Sequence, residues 1–162
     1  MALFKPKARI DKMIDLTPEQ LRAWGVHTLL LDIDNTMTTH DNPVPAEGVP
    51  EWIARMKEAG VKMIVVSNNN GERVRKFSEL LGLDFEGRAL KPLPVGFRRA
   101  CRSLGVKPRE TAVIGDQIFT DMLGGNLLGA YTVWTVPYLL ENSKRFRFKR
   151  ALERLLVKLW RD

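Results

Sequence analysis

The nonapeptide TLLLDIDNT, which spans residues Thr28–Thr36, combines a structural signal with a chemical one. Its first half is an apolar run without strict polar alternation, a pattern typical of a strand buried on both faces of a sheet. Its second half places two carboxylates, Asp32 and Asp34, where this strand ends. A long polar loop, Thr36–Gly48, follows directly, and ligands bind at this end of the strands in doubly wound sheets. We therefore expect functional residues at the carboxyl edge of a parallel sheet.

Strands of this kind recur along the chain and alternate with helix-compatible sequence. Besides Thr28–Asp32, the predicted strands are Lys62–Ser67, Ala112–Asp116 and Tyr131–Trp134, with a weaker candidate at Leu83–Phe85. A glycine between apolar residues separates helical from strand-like sequence at Gly25, Gly60, Gly82, Gly105 and Gly129. Glycine accepts the left-handed conformation that closes a helix, so each of these junctions marks a helix end before a strand. The alternation predicts an α/β fold with a mainly parallel sheet.

Length and composition are those of an ordinary globular protein. The chain has 162 residues, of which 44% are hydrophobic and 28% charged, so we expect one domain over residues 1–162 with a substantial core. The strongest apolar runs, Leu29–Leu31 and Met63–Val66, are far shorter than the roughly 20 residues needed to span a bilayer. Charged residues interrupt the opening segment, so no signal peptide is expected.

The cysteine content and the net charge bear on the cellular compartment of the protein and on the class of its partner. The lone Cys101 cannot form an internal disulfide, which favours a reducing compartment and a cytoplasmic location. We expect this cysteine to be a core residue on an apolar helix stripe rather than a nucleophile. The net charge of +7 favours an anionic partner, but it does not choose among nucleic acid, anionic lipid and a phosphorylated metabolite.

Carboxylates also follow the third strong strand, where Asp116 ends the apolar run and Asp121 comes soon after. Parallel strands end at one edge of a sheet, so these side chains should converge with Asp32 and Asp34. Clustered carboxylates repel one another and raise one another's pKa, so the group needs a cation. Oxygen ligands without spare histidine or cysteine favour Mg²⁺. The alternative is that each aspartate only caps the turn or helix that follows it.

The same residues resemble the four motifs of the haloacid dehalogenase (HAD) superfamily. Asp32–Thr36 is similar to the first motif, and Ser67, at the end of the second strand, is similar to the second. Lys91 resembles the third motif, and Gly115–Gln117 together with Asp121 resembles the fourth. The motifs occur in the required order. The resemblance implies a three-layer, Rossmann-like α/β fold.

A narrower resemblance is to the class IIIA phosphatases of the YqeG type, which are similar to mitochondrial phosphatidylglycerophosphate phosphatases. The segments that carry it are Leu90–Pro92, Gly115–Asp121 and Gly124–Asn126. The superfamily likeness extends over about residues 26–137, which we take as the catalytic core. Neither Thr36–Gly48 nor Glu86–Pro94 is long enough to fold into a lid, so we expect no cap domain.

Each candidate site residue has a role that its chemistry allows. Asp32 can attack phosphorus in line and form an aspartyl-phosphate. Asp34 lies on the same side of the extended chain, and the resemblance gives it the acid and base role toward the leaving alcohol and the attacking water. Lys91 offers positive charge, while Ser67 and the amides around Asn68 can bind phosphate oxygens. By resemblance, the Mg²⁺ ligands are Asp32, Asp34 through its carbonyl, Asp116 and Asp121.

Structural alternatives accompany several of these assignments. A lysine such as Lys91 is commonly a solvated surface residue, and Ser67 can cap the next helix while also binding phosphate. Asn69 and Asn70 are expected to be turn residues rather than ligands. We expect His40, in the long polar loop, to be a surface residue, with substrate contact as the alternative.

The last segment, about 143–161, is predicted to form a basic amphipathic helix. At about 100° per residue, one face collects Phe148, Leu152, Leu155, Leu156 and Leu159. The opposite face collects Arg147, Arg150, Arg154, Lys158 and Arg161. We expect the apolar face to pack on the sheet and the basic face to be solvated, and contact with an anionic membrane is the alternative. No nucleic-acid partner is expected, because the sequence has no RNA- or DNA-binding motif.

These features predict a Mg²⁺-dependent phosphomonoester hydrolase with an aspartyl-phosphate intermediate. We expect a lipid head group as substrate, with phosphatidylglycerophosphate as the leading candidate. Three features favour this substrate: the absence of a cap, the YqeG-like motifs and the basic run Arg88–Arg109. The same features favour peripheral contact with the membrane surface. One alternative is a phosphatase of soluble sugar phosphates or nucleotides. The other is a non-enzymatic protein that uses a phosphate pocket to hold a partner. Asp34 argues against this last alternative, because binding alone needs no second carboxylate there.

Overall fold

A parallel β-sheet forms the centre of the computed structural model, which describes residues 2–138 and 144–160. The strands are β1 (Ala8–Ile10), β2 (Thr28–Leu31), β3 (Lys62–Val66), β4 (Asp84–Glu86), β5 (Thr111–Gly115) and β6 (Tyr131–Thr135). Their order across the sheet is β1-β6-β5-β2-β3-β4, and every neighbouring pair is parallel. The predicted α/β fold with a parallel sheet is therefore confirmed.

Helices connect the strands and cover both faces of the sheet. They are α1 (Pro18–Ala23), α2 (Val49–Glu58), α3 (Gly71–Leu81), α4 (Val95–Leu104), α5 (Leu123–Leu128) and α6 (Lys144–Leu159). Helix α1 begins as its sequence predicts, with Thr17 Oγ1 accepting a hydrogen bond from the Gln20 amide at 3.2 Å. Within residues 2–138 and 144–160, no helix has both the length and the apolar character needed to cross a membrane.

The predicted glycine junctions end helices and lead into strands. Gly82 ends α3 with a φ of 59°, and Gly105 ends α4 with a φ of 64°. Gly25, Gly60 and Gly129 also have positive φ values. Side chains other than hydrogen rarely tolerate this backbone region, so the spacing of these glycines fixes where each helix stops.

Two details of the sheet differ from the sequence prediction. The N-terminal strand β1 has no counterpart among the predicted strands, and it pairs along the outer side of β6. The other edge strand, β4, begins and ends one residue later than the predicted strand Leu83–Phe85. Both are three-residue edge strands, which carry a weak apolar signal because one of their sides has no neighbouring strand.

Alternate residues of the central strands pack on opposite faces of the sheet. Leu29 belongs to a core that includes Trp52 of α2, whereas its neighbour Leu30 belongs to a second core on the other face. That second core includes Phe97 and Cys101 of α4. The structure thus has the three layers expected, and Cys101 is the buried core residue that the sequence predicts. Burial raises the pKa of its thiol, which makes it a poor nucleophile.

No cap domain covers the carboxyl edge of the sheet among residues 2–138 and 144–160. The segment after β2 contains an isolated bridge between Asp34 and Thr38 and then reaches α2 without forming another helix or strand. The expectation of an uncapped fold is therefore correct for the part of the chain that the structure describes.

The C-terminal helix lies close to its predicted position. The prediction was about 143–161, and α6 runs from Lys144 to Leu159, while residues 143 and 161 lie outside the described residues. Three basic side chains are exposed as expected, namely Arg147, Arg154 and Lys158.

The apolar face of α6 is not the face that packs on the protein. Arg150 and Glu153 are buried, whereas Phe148 and Leu155 are 69% and 56% exposed. The expectation that the apolar face packs on the sheet and that Arg150 is solvated is wrong. The physical reason is the carboxylate of Asp116, which is fully buried and pairs with the guanidinium of Arg150. A buried charge without a partner costs several kcal/mol, so this pairing determines which face turns inward.

Candidate active site

The carboxyl ends of three adjacent strands bring the predicted site residues together. Strand β2 lies between β3 and β5, with Leu31 in register with Val65 and Ile114. Asp32 therefore leaves the sheet between its neighbours, and its amide still donates to the Ile114 carbonyl at 3.0 Å. Ser67 follows β3 at the same edge. Parallel strand direction alone produces this convergence.

Three buried carboxylates form a group behind this edge. Asp32, Asp116 and Asp121 each offer an oxygen that lies within 4.8 Å of those of the other two. The Lys91 ammonium contacts the group from one side, 2.7 Å from Asp32 Oδ1 and 2.6 Å from Asp121 Oδ1. Burial, followed by the charge of Asp121, raises the pKa of Asp32 to about 7 in spite of this lysine. The group thus holds more negative charge than one lysine neutralises.

Lys91 itself is buried and held by both its side chain and its backbone. Burial alone would lower the pKa of its ammonium, but the charges of Asp121 and Asp32 outweigh burial and raise it. The Lys91 amide donates to Asn68 Oδ1 at 2.7 Å, and Asn68 Nδ2 donates to the Lys91 carbonyl at 3.0 Å. The lysine is therefore a fixed positive charge and not a solvated surface residue.

Asp121 reaches the group because the chain between β5 and α5 forms a π-helical turn, Ile118–Met122. Its Oδ2 accepts a hydrogen bond from the Gln117 amide at 3.2 Å. A Cβ atom on Gly115 would overlap the Asp121 carboxyl group, so the glycine at the end of β5 is required for this close approach. Turns of this kind recur at functional sites.

Arg150 of α6 binds one carboxylate oxygen of Asp116, and the other carboxylate oxygen has no hydrogen-bond partner. Arg150 binds its Oδ2, and the Asp116 carbonyl accepts hydrogen bonds from Arg150 at 2.7 Å and from Trp134 Nε1 at 2.8 Å. Its Oδ1 is buried and has no hydrogen-bond partner. Burial raises the pKa of Asp116 well above the usual range, against the opposing charge of Arg150.

An unpartnered buried carboxylate oxygen beside two further carboxylates is an arrangement that fits a bound cation. The acidic group Asp32, Asp116 and Asp121 supplies only oxygen ligands, which suit a hard divalent ion such as Mg²⁺. The residues present therefore fit a metal ion.

Asp34 points its carboxylate away from this group. Arg73 of α3 donates two hydrogen bonds of 2.7 and 3.0 Å to the Asp34 carboxylate. The backbone amide of Asp41 and the side-chain amide of Asn69 also donate to this carboxylate. Burial would raise the pKa of Asp34, but the hydrogen bonds and charge of Arg73 outweigh burial and lower it. Its carboxylate falls in a second acidic group with His40 and Asp41. The structure therefore separates the carboxylates of Asp32 and Asp34.

The residues assigned to phosphate binding lie where β3 leads into α3. Ser67 is buried, and its Oγ accepts a hydrogen bond from the Asn69 amide at 3.2 Å. Asn70 caps α3, as its side chain accepts from the Arg73 amide at 3.0 Å. The capping role predicted for this region thus falls on Asn70, while Asn68 positions Lys91 and Asn69 contacts Asp34.

One cleft of about 270 Å³ joins these elements. The predicted residues that line it are Asp32, Asp34, Ser67, Asn68 and Lys91. His40 also lines this cleft with a half-exposed ring, so it is at once a surface residue and a neighbour of the site. Lys149 of α6 forms another part of the wall, and its ammonium donates a hydrogen bond to the Gln117 side-chain carbonyl.

The residues that α3 and α6 contribute to the site are not predicted by the sequence pattern. Arg73 was not singled out, because its contact with Asp34 depends on how α3 begins. Lys149 was not singled out either, and Arg150 was assigned to solvent. One signal for α6 was present: Glu153 is the lone acidic residue among the many basic ones in 144–161. Its side chain accepts a hydrogen bond from the Ile118 amide at 2.9 Å and binds Arg150 at 2.7 Å.

Comparison with known proteins places the chain in a family. The model of haloacid dehalogenase-like hydrolases matches residues 8–129. A probable phosphatase, YqeG of Bacillus subtilis, is 40% identical over 154 residues, which cover 95% of this chain and 90% of that protein. The mitochondrial phosphatidylglycerophosphatase of Saccharomyces cerevisiae is 28% identical over 128 residues, covering 68% of this chain and 66% of the yeast protein.

Other matches extend the same relationship. A glyceraldehyde 3-phosphate phosphatase of Pyrococcus furiosus is 30% identical over 110 residues, and the match spans 45% of that protein and 62% of this chain. Among solved structures, the NagD protein of Escherichia coli matches with a TM-score of 0.57 and 14% identity, covering 67% of this chain and 87% of that one. At this identity the likeness concerns the fold alone. The family match and the 40% identity to YqeG establish that the chain belongs to the haloacid dehalogenase-like hydrolases and is a phosphatase of that family.

Proposed function

We propose that the chain is a Mg²⁺-dependent phosphomonoester hydrolase that works through an aspartyl-phosphate on Asp32. The observation that carries the proposal is the group of three buried carboxylates with the Lys91 ammonium beside it, at the edge where the cleft opens. This charged group suits a metal ion and a phosphate bound together, because the positive charge of the metal ion offsets the negative charges of the carboxylates and of the phosphate.

In the first half of the reaction, an oxygen of Asp32 attacks phosphorus while the bond from phosphorus to the ester oxygen breaks. Asp34 gives its proton to the departing alkoxide, which leaves as the alcohol. In the second half, Asp34 takes a proton from water, and the resulting hydroxide attacks phosphorus and releases phosphate from Asp32. Asp34 must be protonated in the first step, and the approach of an anionic phosphate favours that form by raising the Asp34 pKa.

The remaining residues bind and orient the phosphoryl group. Lys91 is a buried cation next to Asp32, so it can stabilise charge on the equatorial oxygens. The Ser67 hydroxyl and the Asn68 amide lie beside the cleft at the start of α3, where donors favour an anion. Asp32, Asp116, Asp121 and the Asp34 carbonyl would hold Mg²⁺. Bound there, the ion would supply positive charge to the phosphoryl oxygens.

For the substrate we propose phosphatidylglycerophosphate or a similar lipid phosphate. The likeness to the yeast phosphatidylglycerophosphatase supports this, as does the absence of a cap among the described residues, since an open site admits a bulky substrate. A second cleft of about 550 Å³ lies beneath α6. Its lining combines apolar residues such as Trp134 and Val157 with Arg9, Arg154 and Lys158, a combination that suits an anionic amphiphile.

The exposed side of α6 supports peripheral contact with an anionic membrane. Phe148, Leu152 and Leu155 are spaced by four and three residues and form one exposed apolar row. Exposed basic residues flank the row, including Arg147 and Arg154. An apolar row with basic neighbours is the pattern of helices that lie in a membrane interface. A cytoplasmic location and a single domain over residues 1–162 remain predictions from the sequence.

The test is a phosphate-release screen with Mg²⁺ across lipid, sugar, nucleotide and phosphoprotein substrates. We expect Asp32→Asn to lower turnover by about a hundredfold or more, because the amide cannot act as the nucleophile. Asp84→Asn, at an exposed aspartate of β4, is the matched control and should keep full activity. Excess chelator should abolish turnover.

Three outcomes separate the alternatives. Substantial activity of Asp32→Asn, or activity in excess chelator, would contradict the mechanism. Faster release from sugar phosphates or nucleotides than from the lipid would replace the proposed substrate and leave the phosphatase mechanism standing. Release from none of the substrate classes would favour the non-enzymatic phosphate-binding alternative.

A further inference from the structure

The C-terminal helix contributes a cation to the active-site cleft. Lys149 lines the same cleft as Asp32, Ser67 and Lys91, although it follows the family motifs by many residues in the chain. Its side chain is half-buried, and the Gln117 amide oxygen accepts a hydrogen bond from its ammonium.

Contacts of the neighbouring residues on α6 hold Lys149 at this position. Arg150, the next residue, binds both the carboxylate and the carbonyl of Asp116. One turn further, Glu153 accepts a hydrogen bond from the Ile118 amide at 2.9 Å. Both contacts are buried and join α6 to the segment that carries the metal-site carboxylates. The lysine is therefore presented by an anchored element.

The other cations of the site are already paired with carboxylates. Lys91 binds Asp32 and Asp121, and Arg73 binds Asp34. Within the described residues, the Lys149 ammonium donates its hydrogen bond to a neutral group, the side-chain amide of Gln117. An ammonium has three donors, so Lys149 keeps charge and hydrogen-bonding capacity for a ligand. Burial lowers the pKa of this ammonium, and an anion beside it would offset that effect.

We propose that Lys149 is a specificity-determining residue that binds a second anionic group of the substrate, while the phosphomonoester reacts at Asp32. The substrate class is a phosphomonoester that carries a further phosphate group, such as the phosphodiester of a glycerophospholipid head group or the second phosphate of a sugar bisphosphate. This inference rests on the proposed phosphatase function and deepens it. A phosphomonoester without a second anionic group occupies only the part of the cleft next to Asp32, so Lys149 keeps its hydrogen bond to Gln117.

The experiment compares substrates that carry two phosphate groups with substrates that carry one. The first pair is short-chain phosphatidylglycerophosphate and glycerol 3-phosphate, and the second is glucose 1,6-bisphosphate and glucose 6-phosphate. We expect Lys149→Met to lower the ratio of kcat/KM for the doubly anionic substrate over the singly anionic one by about tenfold, chiefly through KM, the size of effect typical of a hydrogen bond to a charged group. Lys149→Arg, which keeps the charge, should restore most of the ratio. Lys76→Met, at a lysine of α3 whose side chain is 69% exposed, should leave the ratio unchanged.

A binding measurement separates this inference from the proposed reaction. In the Asp32→Asn background, calorimetry gives the ratio of Kd values for the bisphosphate and the monophosphate without turnover. A lower preference for the bisphosphate in Lys149→Met supports the role of Lys149 even if the wild type hydrolyses neither lipid nor sugar, an outcome that would defeat the proposed function alone. Equal losses for both members of each pair would indicate a structural role for Lys149. Equal losses, or unchanged ratios in binding and turnover, would overturn the inference.

Discussion

Two carboxyl groups in the same cleft, those of Asp32 and Asp34, have pKa values shifted in opposite directions. Burial and the charge of Asp121 raise the pKa of Asp32 to about 7. Burial would also raise the pKa of Asp34, but Arg73 outweighs burial and lowers it. This order of pKa values is the reverse of the one that a nucleophilic Asp32 and an acidic Asp34 need. Mg²⁺ beside Asp32 would lower the pKa of that carboxyl group, and a substrate phosphate beside Asp34 would raise the pKa of Asp34. Arg73, which lowers the pKa of Asp34 through two hydrogen bonds, is therefore part of the proposed chemistry.

The lowered pKa of Asp34 links its pairing with Arg73 to stability. A carboxyl group whose pKa is lower in the folded protein contributes stability above its ordinary pKa of 3.8, and loses that contribution as pH falls through the lowered value. We expect Arg73→Met to lower the free energy of unfolding at pH 7 by about 1–3 kcal/mol. The difference between variant and wild type should shrink below about pH 4. Urea unfolding between pH 3 and pH 7 measures both effects.

The matched control for this variant is Arg75→Met on the same helix. Arg75 pairs with Glu72 and Glu79 on the exposed side of α3, where ion pairs contribute less than about 1 kcal/mol. A loss in Arg73→Met that is the same at every pH would mean that packing of the arginine, and not its charge on Asp34, stabilises the fold.

Strand direction predicts part of the site, whereas Lys91 and the metal-binding role assigned to Asp121 come from the family resemblance. Asp32, Ser67 and Asp116 stand at strand ends, so they converge in any parallel sheet of this order. Arg73 and Lys149 reach the cleft from helices, through an orientation that depends on packing. No spacing in the sequence encodes that orientation, which is why both were missed.

At the level of whole elements, α6 illustrates how a buried charge overrides apolar periodicity. Full burial of Phe148 and Leu155 would contribute about 1.5–3 kcal/mol each. An unpaired buried Asp116 would cost about 3–5 kcal/mol, and Glu153 would lose the Ile118 amide as well. The helix can turn only one face inward, and these terms are comparable in size. The hydrophobic periodicity predicts the helix and its amphipathic character. It contains no information about the buried Asp116 carboxylate, which Arg150 pairs with.

Removing Arg150 should make the protein more dependent on a metal ion. Arg150→Met leaves Asp116 buried without its cation, so we expect the free energy of unfolding to fall by about 3–5 kcal/mol without metal. The Mg²⁺ that we propose for this site would bind only the folded protein and would compensate the same carboxylate. The rise in Tm on adding Mg²⁺ should therefore be larger in Arg150→Met than in the wild type. Differential scanning calorimetry with Mg²⁺ and with chelator measures this.

Two further variants complete that experiment. Arg154→Met, at an exposed arginine of α6, should show the wild-type response to Mg²⁺. Arg150→Lys keeps a positive charge near Asp116 and should recover part of the stability. A smaller rise in Tm for Arg150→Met than for the wild type would mean that Arg150 helps to build the metal site rather than neutralising it in the absence of metal.

At the scale of the molecule, α6 joins the catalytic cleft to an exposed apolar surface. Lys149 lines the cleft, and Phe148, the preceding residue, begins the apolar row that continues to Leu155. A membrane that contacts this row would lie beside the mouth of the cleft. For the lipid substrate that we propose, the head group would then reach Asp32 while the acyl chains stay near the bilayer.

This geometry predicts binding to anionic vesicles that depends on the apolar row. Basic residues near an anionic surface contribute about 1 kcal/mol each, so the full chain should sediment with phosphatidylglycerol-containing vesicles at low salt and not with phosphatidylcholine alone. Binding should weaken as salt rises, because charges are screened beyond about 8–10 Å near physiological ionic strength.

Substitution within the apolar row separates insertion from charge attraction. Replacing both Phe148 and Leu155 by serine removes the side chains that would enter the interface, and we expect affinity for anionic vesicles to fall by tenfold or more, since each buried side chain contributes about 1.5–3 kcal/mol. Leu80→Ser, at a leucine of α3 that is 67% exposed, is the control and should bind as the wild type does. Equal binding of all three proteins would mean that charge alone attracts the chain to the vesicles. Absence of wild-type binding at low salt would remove the membrane from the proposed function.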